Sequence, residues 1–293
     1  YHAKQLFPTL DLFLPQLTGI TVYSHYYERA YELVRRIKNH GEHQVVLGGP
    51  HISAIREAAL RKSEADFAIK GEGEETLLQL CKTLVESNSD CSNIQGLIWK
   101  SDFGVVENND RPFIDNLDTL PFPAYEEFPL EKYFCHKDKL LAIITSRGCP
   151  HRCIFCSVRL SMGRKFRPRS PENVVTEIQH WYDQGWRNFE FQDDNFTCDM
   201  NRAKRICDLI VSKNLAIKWC LPNGVRIDRL DRELLEKMRE SGCFRIGLGV
   251  ESANNDVLRK IKKGTKIEQV EDTIKMIKRV GMEVVGFFIV GHP

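Results

Sequence analysis

Three cysteines with close, uneven spacing are the residues of this 293-residue chain most suited to metal chemistry. Cys149, Cys153 and Cys156 form a C-x3-C-x2-C pattern, and thiolates are soft ligands that suit zinc or iron–sulfur centres. A structural zinc site usually has four ligands, often two pairs of cysteines, and no second pair follows here. His151 lies inside the loop, where closure onto a shared metal would strain the chain.

A four-iron cluster held by only three thiolates leaves one iron without a protein ligand, and an open metal position is where reactions occur. The spacing therefore predicts a reactive [4Fe-4S] cluster on Cys149, Cys153 and Cys156. Structural zinc, with or without His151, is the alternative.

The other seven cysteines are scattered singly, and most have apolar neighbours. In such surroundings a free cysteine behaves as a small hydrophobe. A chain of this length needs no disulfide framework and Tyr1 begins no signal peptide, so we expect reduced thiols and a cytoplasmic protein. These cysteines are Cys81, Cys91, Cys135, Cys198, Cys207, Cys220 and Cys243.

The composition is that of an ordinary soluble protein. The chain has 42 basic and 40 acidic residues, a formal net charge of +2, so no overall field points to nucleic acid. No apolar run reaches the ~18 residues that span a bilayer. The chain lacks an initial methionine and stops just after an apolar strand, so we expect a fragment of a longer protein.

Residues 141–293 alternate between strand-like and helix-like segments, which predicts a parallel sheet and, over five repeats, a barrel or partial barrel. The cysteine loop follows the first strand, on the face where such folds place active sites. Ser170 predicts one helix cap, and Thr265 with Glu268 predicts a capping box. The predicted strands are Leu141–Thr145, Asn188–Gln192, Ala216–Leu221, Phe244–Val250 and Val284–Val290.

The first hundred residues carry a shorter pattern of the same kind, which predicts part of an open, doubly wound sheet entered midway. Proline-rich residues 115–130 predict an unpacked linker. We expect domains at 1–110 and 139–293, joined by residues 111–138. The predicted elements are strands at Thr18–Tyr23, Gln44–Leu47 and Asp66–Lys70, helices at Glu28–Lys38, Ala54–Arg61 and Glu74–Val85, and a hairpin over 94–107.

The cysteine spacing, with Phe155 just before the third cysteine, resembles the radical S-adenosylmethionine (SAM) superfamily. The resemblance implies that the open iron chelates the amino and carboxylate groups of SAM. One electron then cleaves the carbon–sulfur bond to give a 5′-deoxyadenosyl radical. It also implies a small-molecule substrate and an external electron donor such as a flavodoxin or ferredoxin.

The same resemblance implies SAM contacts where successive strands end. The stretch Gln192–Asn195 would face the amino end of SAM, and a cation after the third strand would pair with its carboxylate. The end of the fourth strand would bind the ribose, and the fifth strand would lie beside the adenine. Helix capping is the alternative role for these polar residues. The predicted SAM-binding residues are Phe155, Asp193, Asp194, Asn223, Arg226, Glu251 and Ser252.

Glycines at two strand ends of the first half could admit a flat ligand, because glycine lets a backbone approach closely. With the second half and the junction Leu120–Ala124, they resemble the cobalamin-binding domain fused to many radical SAM enzymes. The family's cobalt-loop signature, D-x-H-x-x-G, is not present, so no cobalt ligand is assigned. A degenerate sheet is the alternative. His51 is either a residue that faces the corrin or a solvated or hydrogen-bonded loop histidine. The predicted cobalamin-binding residues are Gly48, Gly49, Gly71, Glu72 and Gly73.

The combined resemblance implies a cobalamin-dependent radical enzyme, most plausibly a C-methyltransferase, with oxidative ring closure or oxygen insertion as related reactions. A radical methylthiotransferase is an alternative, but its first domain would carry three further cluster cysteines, and only Cys81 and Cys91 are present. An iron–sulfur electron-transfer or binding module is the non-enzymatic alternative. No residue is assigned a catalytic role, and the substrate is not predicted.

Overall fold

A computed structural model describes residues 3–86, 90–133 and 140–291. It divides into two compact units, Tyr1–Ile114 with Arg159–Met162, and Asp115–Val158 with Gly163–Pro293. Cys135 lies outside the described residues. The predicted domain limits at 110 and 139 stay a prediction.

The first unit contains one five-stranded sheet in the order β1-β2-β3-β4-β5. Strands β1 to β3 run parallel, and β4 and β5 form an antiparallel hairpin. Short 3₁₀ turns are left unlabelled. The elements are α1 (Ala3–Phe13), β1 (Leu17–Thr21), α2 (Tyr27–His40), β2 (Gln44–Gly48), α3 (Pro50–Ile55), α4 (Glu57–Arg61), β3 (Phe67–Ile69), α5 (Glu74–Val85), β4 (Leu97–Ser101) and β5 (Gly104–Glu107).

Both faces of this sheet are covered by apolar residues. On β2, Val45 and Leu47 belong to one buried cluster and Val46 to another, as expected because successive strand residues point to opposite faces. The second cluster also contains Leu80 of α5. Strands buried on both sides are typical of doubly wound folds, so the predicted fold class is confirmed here.

The predicted helix over Ala54–Arg61 is wrong in its limits. Helix α3 begins at Pro50, which is preorganised for a first helical turn, and the chain breaks at Arg56, whose φ is +55°. The Arg56 guanidinium forms ion pairs with Glu107, at 2.7 Å, and with Asp110. Local periodicity does not reveal the positive φ of Arg56, because such values are uncommon for residues other than glycine.

The second half contains five parallel strands, each paired with the preceding strand of the set, in the order β12-β11-β10-β9-β6. This confirms the predicted parallel α/β class. The elements are β6 (Leu140–Ile143), β7 (Ser146–Arg147), α6 (Val158–Ser161), β8 (Arg167–Pro168), α7 (Pro171–Asp183), β9 (Asn188–Phe191), α8 (Met200–Ser212), β10 (Lys218–Val225), α9 (Arg232–Glu240), β11 (Cys243–Glu251), α10 (Asn255–Lys260), α11 (Ile267–Arg279) and β12 (Glu283–Phe288).

A large apolar core fixes these strands beneath helices α7, α8, α9 and α11. At its centre the rings of Phe191 and Trp219 stack with centroids 4.6 Å apart, and Trp219 is fully buried. The predicted cap at Ser170 is present, since its Oγ accepts a hydrogen bond from Asn173 N at 3.1 Å. The predicted Thr265–Glu268 box is wrong by one residue, because Lys266 N donates to Gln269 Oε1 instead.

The segment predicted to be an unpacked linker packs on the second unit, so that expectation is wrong. Leu117 is buried, and the Tyr125 hydroxyl donates to Ala142 O at 2.7 Å. The Tyr125 ring also meets Trp181 edge-on at 5.4 Å. The prolines keep this segment free of α-helix, but its aromatic side chains still pack it against the core.

Of the scattered cysteines, Cys91, Cys207, Cys220 and Cys243 are buried as expected. Cys81 is exposed and Cys198 half-buried, so the apolar setting expected for them is wrong. Within the described ranges, no helix has the length and apolar character needed to cross a membrane.

Candidate active site

The three clustered cysteines lie on one loop at the carboxyl end of β6, all half-buried and with free thiols. The loop is entered through Gly148, whose φ is +79°, a left-handed turn that suits glycine. Strands β7 and β8 pair antiparallel on either side of it, and Cys149 N donates to Gly163 O at 3.4 Å. The fold therefore brings the two ends of the cysteine loop together.

Two consecutive carboxylates at the end of β9 hold the residues that lead into the cysteine loop. Asp193, which is 3% exposed, accepts hydrogen bonds from Thr145 N at 2.7 Å, Thr145 Oγ1 at 2.6 Å and Ser146 Oγ. Asp194 accepts one from Gly148 N at 2.9 Å. Adjacent strand ends meet at one edge of a parallel sheet, so β9 fixes the chain up to the residue before Cys149.

Asp193 was predicted to contact SAM, and the structure gives it another role. Both its oxygens are engaged with Thr145 and Ser146, so it positions the cysteine loop. Burial raises the pKa of Asp193, although the nearby Arg202 and the hydrogen bonds act to lower it. Burial also raises the pKa of Asp194, whose second oxygen is available toward the loop. We keep Asp194 as a candidate contact.

A turn after α10 holds the loop from its other side. Ile154 N donates to Ile261 O at 3.1 Å, and the Lys263 ammonium lies 5.8 Å from the centroid of the Phe155 ring. Arg226 reaches the same turn, donating to Lys263 O at 2.6 Å. The middle of the loop is thus bound to residues more than a hundred positions later in the chain.

Arg226 is not disposed as the predicted partner for a carboxylate ligand. Its Nε and Nη2 donate to the two oxygens of Asp228 at 2.9 and 3.0 Å, a bidentate pair that satisfies the guanidinium. Burial opposes ionisation of Asp228, yet Arg226 lowers its pKa overall. We therefore reassign Arg226 to positioning the Lys263 turn.

Glu251, at the end of β11, forms a buried ion pair that the sequence did not reveal. Its Oε1 accepts a hydrogen bond from Lys263 Nζ at 2.7 Å, and both side chains are 8% exposed. A Cβ on Gly249 would stand 2.6 Å from each of these two atoms, so only glycine leaves room for the pair. Glu251 itself has φ +65°, a strained value typical of functional positions.

The remaining predicted SAM contacts lie at the same sheet edge. Asn223, on β10, is exposed and donates from Nδ2 to Gln192 O at 2.9 Å, which leaves its side-chain oxygen available. Ser252 is half-buried, and its Oγ accepts from Asn254 N at 3.2 Å. Polar groups therefore end β9, β10 and β11 as predicted, although two of those predicted serve positioning.

Sequence reasoning also missed polar groups that the fold buries without a partner. Asn195 is 1% exposed, and neither its Oδ1 nor its Nδ2 has a hydrogen-bond partner. The Nε2 of His151 is likewise buried and unpartnered, and burial together with Arg226 lowers the pKa of this imidazole. Buried polar atoms are normally satisfied, so both residues mark a place where a polar ligand or water fits. Asn195 was visible in sequence only as the last residue of the Gln192–Asn195 stretch.

The donor set of the loop fits an iron–sulfur cluster better than zinc. Among the residues that the structure describes, no three His, Cys, Asp or Glu side chains converge on one ion position, as a zinc site requires. A cluster presents a different iron to each thiolate, so its cysteines need not converge. Burial raises the pKa of the Cys149 and Cys156 thiols, and ligation by a metal would favour their deprotonation.

In the first unit, two glycines predicted for cobalamin leave backbone uncovered. A Cβ on Gly48 would meet nothing within 4 Å, and one on Gly71 only Phe113 at 3.9 Å. His51, close to Gly48, is 6% exposed, and its Nε2 is buried without a partner. The His51 Nδ1 lies 3.1 Å from Ser24 Oγ, so only Nε2 lacks a partner among the described residues. Open glycine backbone near this nitrogen fits a flat polar ligand at these strand ends.

Of the other three positions predicted for cobalamin, Gly49 and Glu72 have packing roles. A Cβ on Gly49, where φ is +97°, would stand 2.9 Å from Thr21 Cγ2. Glu72 is buried and accepts a hydrogen bond from Ile114 N at 2.7 Å. Gly73 has ordinary space, since its Cβ would lie 3.7 Å from Ile69. Glu72 in particular anchors the chain after β5.

Comparison with known proteins matches both halves of the chain. A family model for the "Radical SAM superfamily" matches residues 143–293, and one for a "B12 binding domain" matches residues 2–81. The chain is 34% identical over 285 residues to an uncharacterized methyltransferase of Pyrococcus horikoshii, covering 96% of this chain and 61% of that protein.

Two further proteins are similar over most of the chain. Cytidylyl-2-hydroxyethylphosphonate methyltransferase of Streptomyces wedmorensis is 33% identical over 84% of this chain and 52% of its own. The solved structure of TsrM from Kitasatospora setae, a radical S-adenosylmethionine methyltransferase, superposes with a TM-score of 0.80 at 20% identity, covering 96% of this chain and 58% of that one. The chain thus spans between half and two thirds of these proteins.

Proposed function

This chain belongs to the radical SAM superfamily, and from that premise we propose that it methylates an unreactive carbon of a small molecule, with cobalamin as methyl carrier. The cysteine loop carries the proposal: three half-buried thiols lie on one loop, held between the β9 carboxylates and the Lys263 turn. When bound, the cluster supplies one electron to SAM, whose carbon–sulfur bond breaks to give methionine and a 5′-deoxyadenosyl radical.

Family membership confirms the predicted cluster and SAM, and the match to the B12-binding model confirms the predicted cobalamin. We assign the cluster to Cys149, Cys153 and Cys156. For SAM we propose contacts from Asp194, Asn223, Glu251 and Ser252, with Phe155 beside them. Asp193 holds the cysteine loop, which carries Phe155, and Arg226 holds the turn whose Lys263 pairs with Glu251.

In the first unit we propose that cobalamin lies against the open backbone of Gly48 and Gly71, with His51 close by. The bound cofactor would supply the methyl group. The sheet contributes flat, uncovered backbone at its carboxyl edge, where doubly wound folds bind ligands. Gly49 and Glu72 keep that edge in shape by packing.

The names of two relatives favour methyl transfer over the other reactions of such enzymes. The methylthiotransferase alternative gains no support from the first unit. There Cys91 is buried in the apolar core, whereas Cys81 is exposed on α5, so these thiols form no cluster loop. Strand-end residues suited to a second ligand likewise disfavour a simple electron-transfer module.

The test is anaerobic reconstitution of the full-length protein with iron, sulfide, cobalamin and SAM, followed by a strong chemical reductant. We expect both 5′-deoxyadenosine, from radical formation, and S-adenosylhomocysteine, from methylation of cobalamin. SAM with a deuterated methyl group would then label the product of a candidate substrate.

Each outcome has one interpretation. Without 5′-deoxyadenosine, the radical assignment is wrong. If 5′-deoxyadenosine forms without S-adenosylhomocysteine, and a substrate loses two hydrogen atoms instead of gaining a labelled methyl group, the reaction is oxidative ring closure. An unchanged visible spectrum of added cobalamin would show that the first unit does not bind it.

A further inference from the structure

The stretch Arg259–Lys266, which we call the basic turn, is a strongly cationic segment that contacts the cysteine loop. Five of its eight residues are Lys or Arg and none is acidic, although the whole chain has a net charge of only +2. Lys263 is buried and paired with Glu251, whereas the other four cations are exposed. These are Arg259, Lys260, Lys262 and Lys266.

Few acidic groups offset this charge. Asp256 forms an exposed pair with Arg259 at 3.0 Å, and Glu268 binds Asn255 Nδ2 at 3.0 Å. No ion pair is found for Lys260, Lys262 or Lys266 among the described residues. Exposed pairs contribute little, so the turn keeps a positive field toward solvent.

The basic turn touches the part of the cysteine loop that reaches the surface. Its Ile261 O accepts the hydrogen bond from Ile154 N, and Ile154 directly follows Cys153. The Ile154 side chain is 54% exposed, and Arg152, on the other side of Cys153, is exposed too. An exposed apolar residue one position from a predicted cluster ligand is therefore bonded to the backbone of the basic turn and follows an exposed arginine by two positions.

We propose that the basic turn, with Ile154 and Arg152, is the docking surface for an acidic one-electron carrier protein of flavodoxin or ferredoxin type. This rests on the proposed function, because only a reaction started by one electron needs such a partner. Complementary charge steers association, and an exposed apolar centre gives the contact its desolvated core.

The step at this surface is the transfer of a single electron. The reduced flavin or iron–sulfur centre of the carrier loses one electron and the cluster gains it, with no bond or proton exchanged. Cleavage of SAM then consumes that electron. Docking beside Cys153 places the two redox centres on either side of one short stretch of backbone.

The observations favour a protein over a nucleic acid. A turn with four exposed cations neutralises few phosphates, whereas nucleic-acid affinity rises with the number neutralised. Single-stranded RNA sites also use aromatic side chains as stacking platforms, and Arg259–Lys266 contains none.

The test compares the double variant Lys260→Glu/Lys262→Glu with Lys213→Glu/Lys218→Glu in the full-length, cluster-loaded protein. The second pair makes the same charge change on two exposed residues, Lys213 just after α8 and Lys218 at the amino end of β10, away from the strand ends that carry the cysteine loop. With reduced flavodoxin as donor, we expect 5′-deoxyadenosine to form about tenfold more slowly in the first variant only. With dithionite as reductant, all three proteins should react equally.

Added salt and chemical crosslinking test whether the carrier docks on the basic turn through charge. The tenfold difference should disappear near 1 M salt, where the Debye length is about 3 Å. Carbodiimide, which joins amines to carboxylates, should crosslink oxidised flavodoxin to Lys260 or Lys262, whether or not the protein is active. Equal slowing in both variants, slowing with dithionite, or crosslinks only elsewhere would overturn the proposal.

Two further results are kept apart. Failure of wild-type protein to make 5′-deoxyadenosine with dithionite would refute the proposed function, while the crosslink would still decide docking. If a short single-stranded RNA binds, loses affinity in the Lys260→Glu/Lys262→Glu variant and prevents the crosslink, the surface is a nucleic-acid site and the proposal is wrong.

Discussion

At the scale of single residues, the three loop cysteines are distinguished from the other half-buried cysteine, Cys198, by their place in one loop. Cys198 is half-buried like them and close enough to raise the pKa of Cys149 slightly, yet it lies outside the C-x3-C-x2-C loop. We predict that Cys153→Ala abolishes the iron–sulfur absorbance and all 5′-deoxyadenosine formation, while Cys198→Ala retains both. Iron content per protein chain measures the difference. A Cys153→Ala protein that keeps its iron, or a retained zinc signal, would contradict the ligand assignment.

The Lys263–Glu251 pair is a residue contact whose loss should lower stability, because both side chains are buried. We predict that Lys263→Met lowers the free energy of unfolding by about 3 kcal/mol, because it leaves a buried carboxylate unpaired. Adding Glu251→Gln should recover most of that loss, since no charge then remains buried. Lys275→Met is the control, because its exposed pair with Glu271 at 4.0 Å is worth under about 0.5 kcal/mol. Denaturant unfolding of the three variants gives the comparison.

At the scale of elements, the end of β9 is a support for the loop that follows β6. We predict that Asp193→Asn costs about 2 kcal/mol and Asp194→Asn about half as much, because the first weakens three hydrogen bonds to a carboxylate and the second only one. Cluster loading should fall in the same order. If the two variants lost equal amounts of stability and of iron, the number of hydrogen bonds that each carboxylate accepts would not determine its contribution.

The sequence predicted the strands well and the partners of the charged residues poorly. Alternating apolar segments placed β9, β10 and β11 within a few residues, because burial imposes that pattern locally. The pairing of Arg226 with Asp228, and of Glu251 with a lysine twelve residues later, depends on how turns at the sheet edge fold back. Arg56 makes the same point, since it interrupts the predicted helix with a positive φ and its ion-pair partners, Glu107 and Asp110, lie 51 and 54 residues later.

At the scale of the whole molecule, two units with separate cores should respond to different ligands. Three of the four tryptophans, Trp181, Trp186 and Trp219, lie in the second unit, and Trp99 is in the first. We predict that SAM, added to the cluster-loaded Trp99→Phe protein, raises the unfolding midpoint followed by tryptophan fluorescence. Cobalamin alone should leave that midpoint unchanged and raise the midpoint of an unfolding transition detected by circular dichroism. An equal shift of both signals by cobalamin would contradict separate sites.

The support of the cysteine loop by distant residues has a consequence for the order of events during synthesis. Chains emerge from the amino terminus, and their early parts fold first. Ile261 follows Cys156 by 105 residues (261 minus 156), so the thiols are made long before the turn that clamps them. Until Ile261 and Lys263 have emerged, the loop is held only by contacts from earlier in the chain, among them those of Asp193, Asp194 and Gly163. The cluster is therefore best inserted late, into a nearly complete chain, and a nascent protein stalled before residue 261 would expose three thiols to oxidation.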